Sequence, residues 1–261
     1  MNVRIWESKK LTLRLKSRLN RCGNVLMWEF LNHQIISAML TPIAYIRSPF
    51  SDKFGIPRQS NIVCDVVSTV VFEPEFRNVD AIRGIEDFDY IWLIWQFSEN
   101  LRDGWTPTVR PPRLGGNKRL GVFATRSPFR PNALGLSSVR LLGVELSPVK
   151  GPLLHVGGAD LKDGTPIFDI KPYVPYADSH PDARGGFASE APEARLEVCY
   201  DESQIAVIPE PMRKPLMEIL SSDPRPSYHN DPNRVYGFFF CDHEVKFKVL
   251  DNNRLEVVNI F

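Results

Sequence analysis

A mainly β fold is predicted for this 261-residue chain: one compact β domain, closed or partly closed, followed by a smaller α+β domain. Three observations predict it. From Thr41 onward, short runs rich in valine, isoleucine and aromatic residues recur, most of them separated by Gly, Pro, Asn or Asp. One run, YIWLIWQF at 90–97, is apolar on both faces and therefore reads as a central strand. Toward the end, a helix-like stretch is followed by three more strand-like runs.

The elements follow in order. TPIAYIR (41–47) and NIVCDVVSTVVF (61–72) read as strands, and a short helix is expected around VDAIRGIEDF (79–88). After the central run, whose Trp92 and Trp95 read as core, come the strand-like segments GVFAT (121–125), SSVRLLGVEL (137–146) and PLLHVGG (152–158). Such a set of strands hides its edges by closing, or nearly closing, into a barrel. Residues 182–193, DARGGFASEAPE, are small, polar and rich in Gly and Pro, the composition of a linker or exposed loop. Beyond it lie ARLEVCY (194–200), a helix over PMRKPLMEILSS (211–222) that Pro215 is expected to shorten or kink, and the runs VYGFFF, VKFKVL and RLEVV. The expected division is therefore 41–185 for the β domain and 194–261 for the α+β domain. Residues 1–40 form an N-terminal extension with a basic bias. Its alternative readings are an RNA-binding arm and, the one favoured, a stretch upstream of a natural start at Met39.

Composition bounds the partners. The chain is 43% apolar, enough for a sizeable core, and 32 basic against 31 acidic residues leave a net charge of +1. A global basic field is excluded, so a nucleic acid would have to meet a local patch. Cys22, Cys64, Cys199 and Cys241 form no C-x-x-C pair and share no metal-ligand spacing with the histidines. Reduced thiols, a cytoplasmic setting and no metal are expected. No apolar run reaches the roughly 18 residues of a membrane span, so neither a membrane segment nor a signal peptide is expected.

Two stretches carry the chemistry. In GVFATRSPFRPNALGLSSVRLL (121–142), the prolines that follow Ser127 and Arg130 restrict the backbone, so the loop loses little freedom on binding. Guanidinium groups held in this way suit carboxylates, phosphates or a stacked base, although a solvated surface turn has the same spacing. In DLKDGTPIFDIKPYVPYADS (160–179), DGTP reads as a turn, and Asp160, Asp163, Asp169 and Asp178 alternate with prolines and tyrosines. RPPRLGGNKR (110–119) adds a local basic cluster. The glycine fingerprints of dinucleotide and nucleoside-triphosphate sites and the H-E-x-x-H and G-x-S-x-G motifs are all missing. Residue by residue, the reading stops at a β-rich domain with a rigid polar site built from loops.

The two long motifs, with PRQ at 57–59 and RPPRLGGN at 110–117 upstream, closely resemble the TsaA-like family, which includes the bacterial TrmO proteins. The resemblance covers about 41–180, and DPRPSY at 223–228 extends it toward the C-terminus. It implies a small β-barrel methyltransferase that takes its methyl group from S-adenosylmethionine (S-adenosyl-L-methionine). The barrel is expected to work as a homodimer, with the site near the subunit interface. The substrate implied is tRNA, at the N6 nitrogen of the threonylcarbamoyladenosine beside the anticodon. Cofactor contacts carried over by motif are Pro57, Arg58 and Gln59, Ser98 and Glu99, Arg126, Leu136, and the turn Lys162, Asp163, Gly164 and Thr165. Asp163 or Asp169 would accept the proton that the nitrogen loses, and Arg126 would hold the donor carboxylate or an RNA phosphate. Arg130, Lys171 and Tyr173 would contact RNA. Ala133 departs from the family pattern, standing where many members have a second proline. A non-catalytic RNA-binding barrel and a small-molecule methyltransferase are the alternatives.

Overall fold

The computed structural model describes residues 40–98, 104–189, 196–225, 231, 233–250 and 253–261. The chain divides into two units, Met1–Thr41 and Pro42–Phe261. Only Leu40 and Thr41 of the first are described, so the expectation of an N-terminal extension lies outside the described residues.

In chain order the strands are β1 (Ala44–Arg47), β2 (Val67–Phe72), β3 (Tyr90–Gln96), β4 (Thr108–Val109), β5 (Leu120–Gly121), β6 (Leu134–Ser147), β7 (Gly151–Gly157) and β8 (Pro166–Pro172). Four more follow: β9 (Glu197–Cys199), β10 (Tyr236–Phe240), β11 (His243–Val249) and β12 (Arg254–Ile260). The α-helices are α1 (Pro175–Asp178), α2 (Glu202–Ile205) and α3 (Glu210–Ser221).

Six strands pair in the order β1-β2-β7-β6-β3-β8, and β8 returns to β1, closing the sheet into a barrel. All its pairings are antiparallel. Period-2 alternation explains the interior: Ala44 and Ile46, Val70 and Phe72, Ile91, Leu93 and Trp95, Val139, and Leu154 and Val156 all point into one core. Closure demands curvature. Two irregularities supply it, one between Ile94 and Trp95 on β3 and one between Leu141 and Gly143 on β6.

The run at 90–97 is central as expected, since β3 lies between β6 and β8. Only one of its faces is fully buried, however. Trp95 is core, whereas Trp92 is half-buried and donates its indole N–H to Asp178 at 2.9 Å. Other expectations are corrected. The helix at 79–88 is two 3-10 turns, Val79–Ile82 and Ile85–Asp87, because the left-handed Gly84 separates them. GVFAT is strand only at Gly121, after which Val122–Ala124 turns as 3-10 helix. Of 61–72, only Val67–Phe72 is strand.

The C-terminal strands form a second sheet in the order β10-β11-β12-β9, with β9 parallel to β12. Helix α3 starts with Glu210 and Pro211, both favoured in a first turn, and buries Leu216, Ile219 and Leu220 along one stripe. Pro215 does not shorten it: the helix runs to Ser221, and the proline ring is itself buried. Helix α2 begins with a capping box between Asp201 and Gln204.

Candidate active site

A large open cleft of about 2480 Å³ lies at one end of the barrel. Segments from four places build it: the loop after β1 (Ile56 to Ile62), the end of β3 with Phe97 and Ser98, the loops flanking β4 and β5, and the stretch from Phe123 into β6. Asp160, Lys162 and Thr165 close one side. Gly185, Phe187 and Ala188, from the stretch expected to be a linker, also line it.

The RSPFRP loop is braced by more than its prolines. Ser127 N–H donates to Thr125 Oγ1 at 3.3 Å, Phe129 N–H to Ser127 Oγ at 3.3 Å, and Arg130 Nη1 to the Thr125 carbonyl at 3.2 Å. Arg130 is thus partly committed to holding its own loop. Ala133 closes the loop at φ 44°, a value that a proline ring forbids, with its N–H on the Arg130 carbonyl at 3.2 Å. Arg126 is exposed and reaches across the cleft, donating from Nη1 to Gln59 Oε1. This bond joins the first predicted contact loop to the second.

The 162–165 turn packs against the exit of β1. Gly164 has φ 75°, where a side chain would be strained, and its N–H donates to the Ile46 carbonyl at 2.9 Å. Asp163 is not among the cleft-lining residues, and its carboxylate accepts from Ser48 N–H at 3.0 Å and from Arg47 Nη1 at 3.2 Å. Its neighbours Lys162 and Thr165 face the cleft.

The structure therefore brings together Pro57, Arg58, Gln59, Ser98, Arg126, Arg130, Leu136, Lys162 and Thr165 in one cleft. Glu99 lies outside the described residues. Asp163, Gly164, Asp169, Lys171 and Tyr173 are not among the lining residues. On β8, Asp169 pairs with Lys171 at 3.0 Å, and the Tyr173 ring lies against Trp92 and Tyr90 with centroids 5.7 and 6.2 Å away.

One cleft residue was not singled out from sequence. Asp160 Oδ1 accepts from Ser137 Oγ at 2.6 Å, and Ser137 Oγ in turn accepts from Trp95 Nε1 at 3.0 Å. The chain of contacts depends on Gly135: a Cβ there would lie 2.3 Å from the Trp95 ring, so only glycine lets the indole lie against β6. Burial raises the Asp160 pKa above its ordinary value, against the opposing pull of Ser137, backbone donors and the Arg126 charge. The surrounding charge is cationic: Lys53, Arg58, Arg110, Arg113, Arg119, Arg126, Arg130 and Lys162 line the cleft, and Asp160 is the sole carboxylate among the described lining residues. In the sequence Asp160 was one of four aspartates with nothing in the spacing to set it apart. Among the described residues there is no cluster of three or more His, Cys, Asp or Glu suited to a metal ion.

The tRNA-methyltransferase O N-terminal domain family matches residues 45–179, and the TrmO C-terminal domain family matches 193–261. The chain belongs to the tRNA-methyltransferase O family. A relative from Escherichia coli K12, named tRNA (adenine(37)-N6)-methyltransferase, is 41% identical over 219 residues, spanning 80% of this chain and 92% of the relative. One of the same name from Eikenella corrodens is 49% identical over 163 residues, 62% of this chain and 91% of that one. A Pseudomonas aeruginosa relative, 44% identical over 214 residues (79% of this chain and 90% of the relative), is called a putative S-adenosylmethionine-dependent methyltransferase. The crystal structure of TrmO from Pseudomonas aeruginosa superposes with a TM-score of 0.69 at 36% identity, covering 85% of this chain and 97% of that one.

Proposed function

We propose that this chain transfers a methyl group from S-adenosylmethionine to the N6 nitrogen of the adenosine beside the tRNA anticodon, with threonylcarbamoyladenosine as the acceptor. The observation that carries this reading is the cleft itself, a cationic rim around one half-buried carboxylate among the described lining residues, on a family member whose relatives bear that activity in their names. Phosphates suit the rim, and the one carboxylate among the described lining residues is a group that can accept a proton.

The lining fits the donor by chemistry. A donor with a carboxylate, two cationic centres and a purine calls for a guanidinium, a carboxylate and apolar surface. Arg126, Asp160, and Ile56 with Phe97 and Phe129 supply them in one cleft. Pro57, Arg58, Gln59, Ser98, Leu136, Lys162 and Thr165 complete the set that would hold it, and Glu99 is kept in that set on the family motif. When bound, S-adenosylmethionine supplies an electrophilic methyl carbon attached to a positively charged sulfur.

The residues of the chain do the rest by placement. Gln59 fixes Arg126 and Asp163 fixes the 162–165 turn, so the binding groups are set before the substrate arrives. Alignment of that kind is worth about 7–11 kcal/mol in favourable intramolecular reactions. Asp160 would accept the proton that the N6 nitrogen loses on gaining the methyl group. We assign this role to Asp160 rather than to Asp163 or Asp169, whose carboxylates are engaged with Ser48 and Arg47 and with Lys171. Arg130, with the Arg110 to Arg119 cluster, faces the anticodon-loop phosphates. Lys171 and Tyr173, on the barrel wall, would meet RNA only outside the cleft.

A homodimer is part of the reading. Leu136, Leu142, Leu146 and Val149 are exposed along β6 and the turn beyond it, apolar surface that a second copy would cover beside the cleft. The division into 41–185 and 194–261, the extension over 1–40 and a cytoplasmic site of action complete the proposal. No helix of the described residues is long and apolar enough to cross a membrane. The test is incubation of the purified protein and S-adenosylmethionine with tRNA that carries or lacks the threonylcarbamoyl group, followed by mass spectrometry of the nucleosides. Methylation of the modified adenosine alone is expected; methylation of neither tRNA overturns the activity, and methylation of unmodified adenosine overturns the acceptor.

A further inference from the structure

The segment between β1 and β2, residues 48–66, leaves the barrel core altogether. Phe50, Val63 and Val66 are buried in the second hydrophobic core, with Ile208, Leu216, Phe238, Phe240 and Phe247, and Ile56 and Ile62 pack against the same cluster. None of them belongs to the barrel core.

The anchoring is continuous along the segment. Phe50 and Phe240 rings meet at 5.7 Å between centroids, and Cys241 N–H donates to the Pro49 carbonyl at 3.0 Å. Gly55, at φ 82°, lies so close to Phe238 that a Cβ would sit 2.3 Å from the ring. Asp65 pairs with Lys214 of α3. On the other side the segment is tied to the barrel: Asn61 N–H donates to the Gly158 carbonyl and Asn61 Nδ2 to the Ser138 carbonyl, both at 2.9 Å. Between these two sets of anchors stand Pro57, Arg58 and Gln59, facing the cleft, with Gln59 on Arg126.

We propose that the C-terminal sheet and helix act as the back wall of the donor site, with Phe238 and Phe240 as positioning residues that hold the 57–59 loop. This rests on the reading that Pro57 to Gln59 hold the methyl donor. A polar loop of this length has no core of its own, and without a wall it would have to be ordered at the moment of binding, at a cost in affinity. A C-terminal unit devoted only to gripping tRNA would have no need to bury side chains from the first loop of the barrel.

The experiment compares the full-length parent with Phe238→Ala and Phe238→Leu. Affinity for S-adenosylhomocysteine is measured by calorimetry, affinity for tRNA by gel shift, and steady-state kinetics are recorded for both substrates. Phe238→Ala is expected to weaken S-adenosylhomocysteine binding about tenfold or more. KM for S-adenosylmethionine should rise with a smaller change in kcat and unchanged tRNA affinity, and Phe238→Leu, which refills the space, should restore most of the loss. If Phe238→Ala does not fold, the milder Phe238→Val, which leaves part of the space empty, carries the test through hydrogen exchange: faster exchange confined to peptides spanning 54–63 supports the proposal, and parent-like exchange overturns it. A folded Phe238→Ala that binds S-adenosylhomocysteine like the parent but loses tRNA overturns this inference alone. A parent that binds no S-adenosylhomocysteine overturns the donor reading as well.

Discussion

Ser137 Oγ donates to Asp160 Oδ1 at 2.6 Å while accepting from the buried Trp95 indole N–H. The serine has its acceptor and donor roles set by the barrel core, so the carboxylate is aimed by packing rather than by a loop. From this pair and its surroundings come specific expectations.

Asp160→Asn should lower kcat by about 10²- to 10⁴-fold, the usual worth of a positioned proton acceptor. The amide oxygen still accepts from Ser137, so the cleft keeps its shape. A carboxyl whose pKa is higher folded than unfolded binds its proton more tightly in the native state. Its ionisation therefore subtracts stability as pH rises from the ordinary 3.8 through the raised value. At neutral pH the variant should melt no lower than the parent, and the acid limb of the parent's kcat profile should lie above that of an ordinary carboxylate. A destabilised variant with normal turnover would assign Asp160 to the scaffold.

Arg126→Ala should abolish most methyl transfer and leave the melting temperature within about a degree or two, as exposed substitutions usually change stability by under about 0.5 kcal/mol. Its one described side-chain partner is Gln59. Normal turnover in this variant, measured with labelled donor, removes Arg126 from the site.

Asp163→Asn separates positioning from chemistry. Its carboxylate binds Ser48 N–H and Arg47, so the variant should loosen the 162–165 turn and weaken donor affinity in calorimetry, with kcat at saturating donor largely kept. Unchanged affinity with lost turnover would return the proton-accepting role to Asp163.

Gly135→Ala tests the link between core and site. The new methyl would meet the Trp95 ring, and overpacking of this kind costs about 1–3 kcal/mol. Denaturant unfolding should show that loss, accompanied by a fall in turnover as the indole shifts away from Ser137.

Arg110→Ala tests the cationic rim. If Arg110 meets an RNA phosphate, tRNA affinity should fall for every tRNA alike, and the slope of log affinity against log salt should drop by about one unit. A parent-like slope would mean that the RNA lies elsewhere.

Much of this molecule was legible before any coordinates. Period-2 alternation and β-branched runs identified five of the six barrel strands, all but β8, and the α+β nature of the C-terminal part, because burial of one face in each strand leaves its mark in every second residue. The two proline-bearing motifs pointed to the loops that meet in the cleft, since proline and glycine restrict the backbone wherever they stand. What sequence could not decide was which aspartate lines the cleft. Asp160, Asp163 and Asp169 are alike in composition and spacing, and only closure of β6 against β3 brings Ser137 and Trp95 to the first of them while β1 claims the second. Nor did local pattern reveal that Phe50, Val63 and Val66 belong to a core made by residues 196–261. An apolar side chain carries in its chemistry the need to be buried. Against what it is buried is decided by topology, which brings together residues nearly two hundred positions apart.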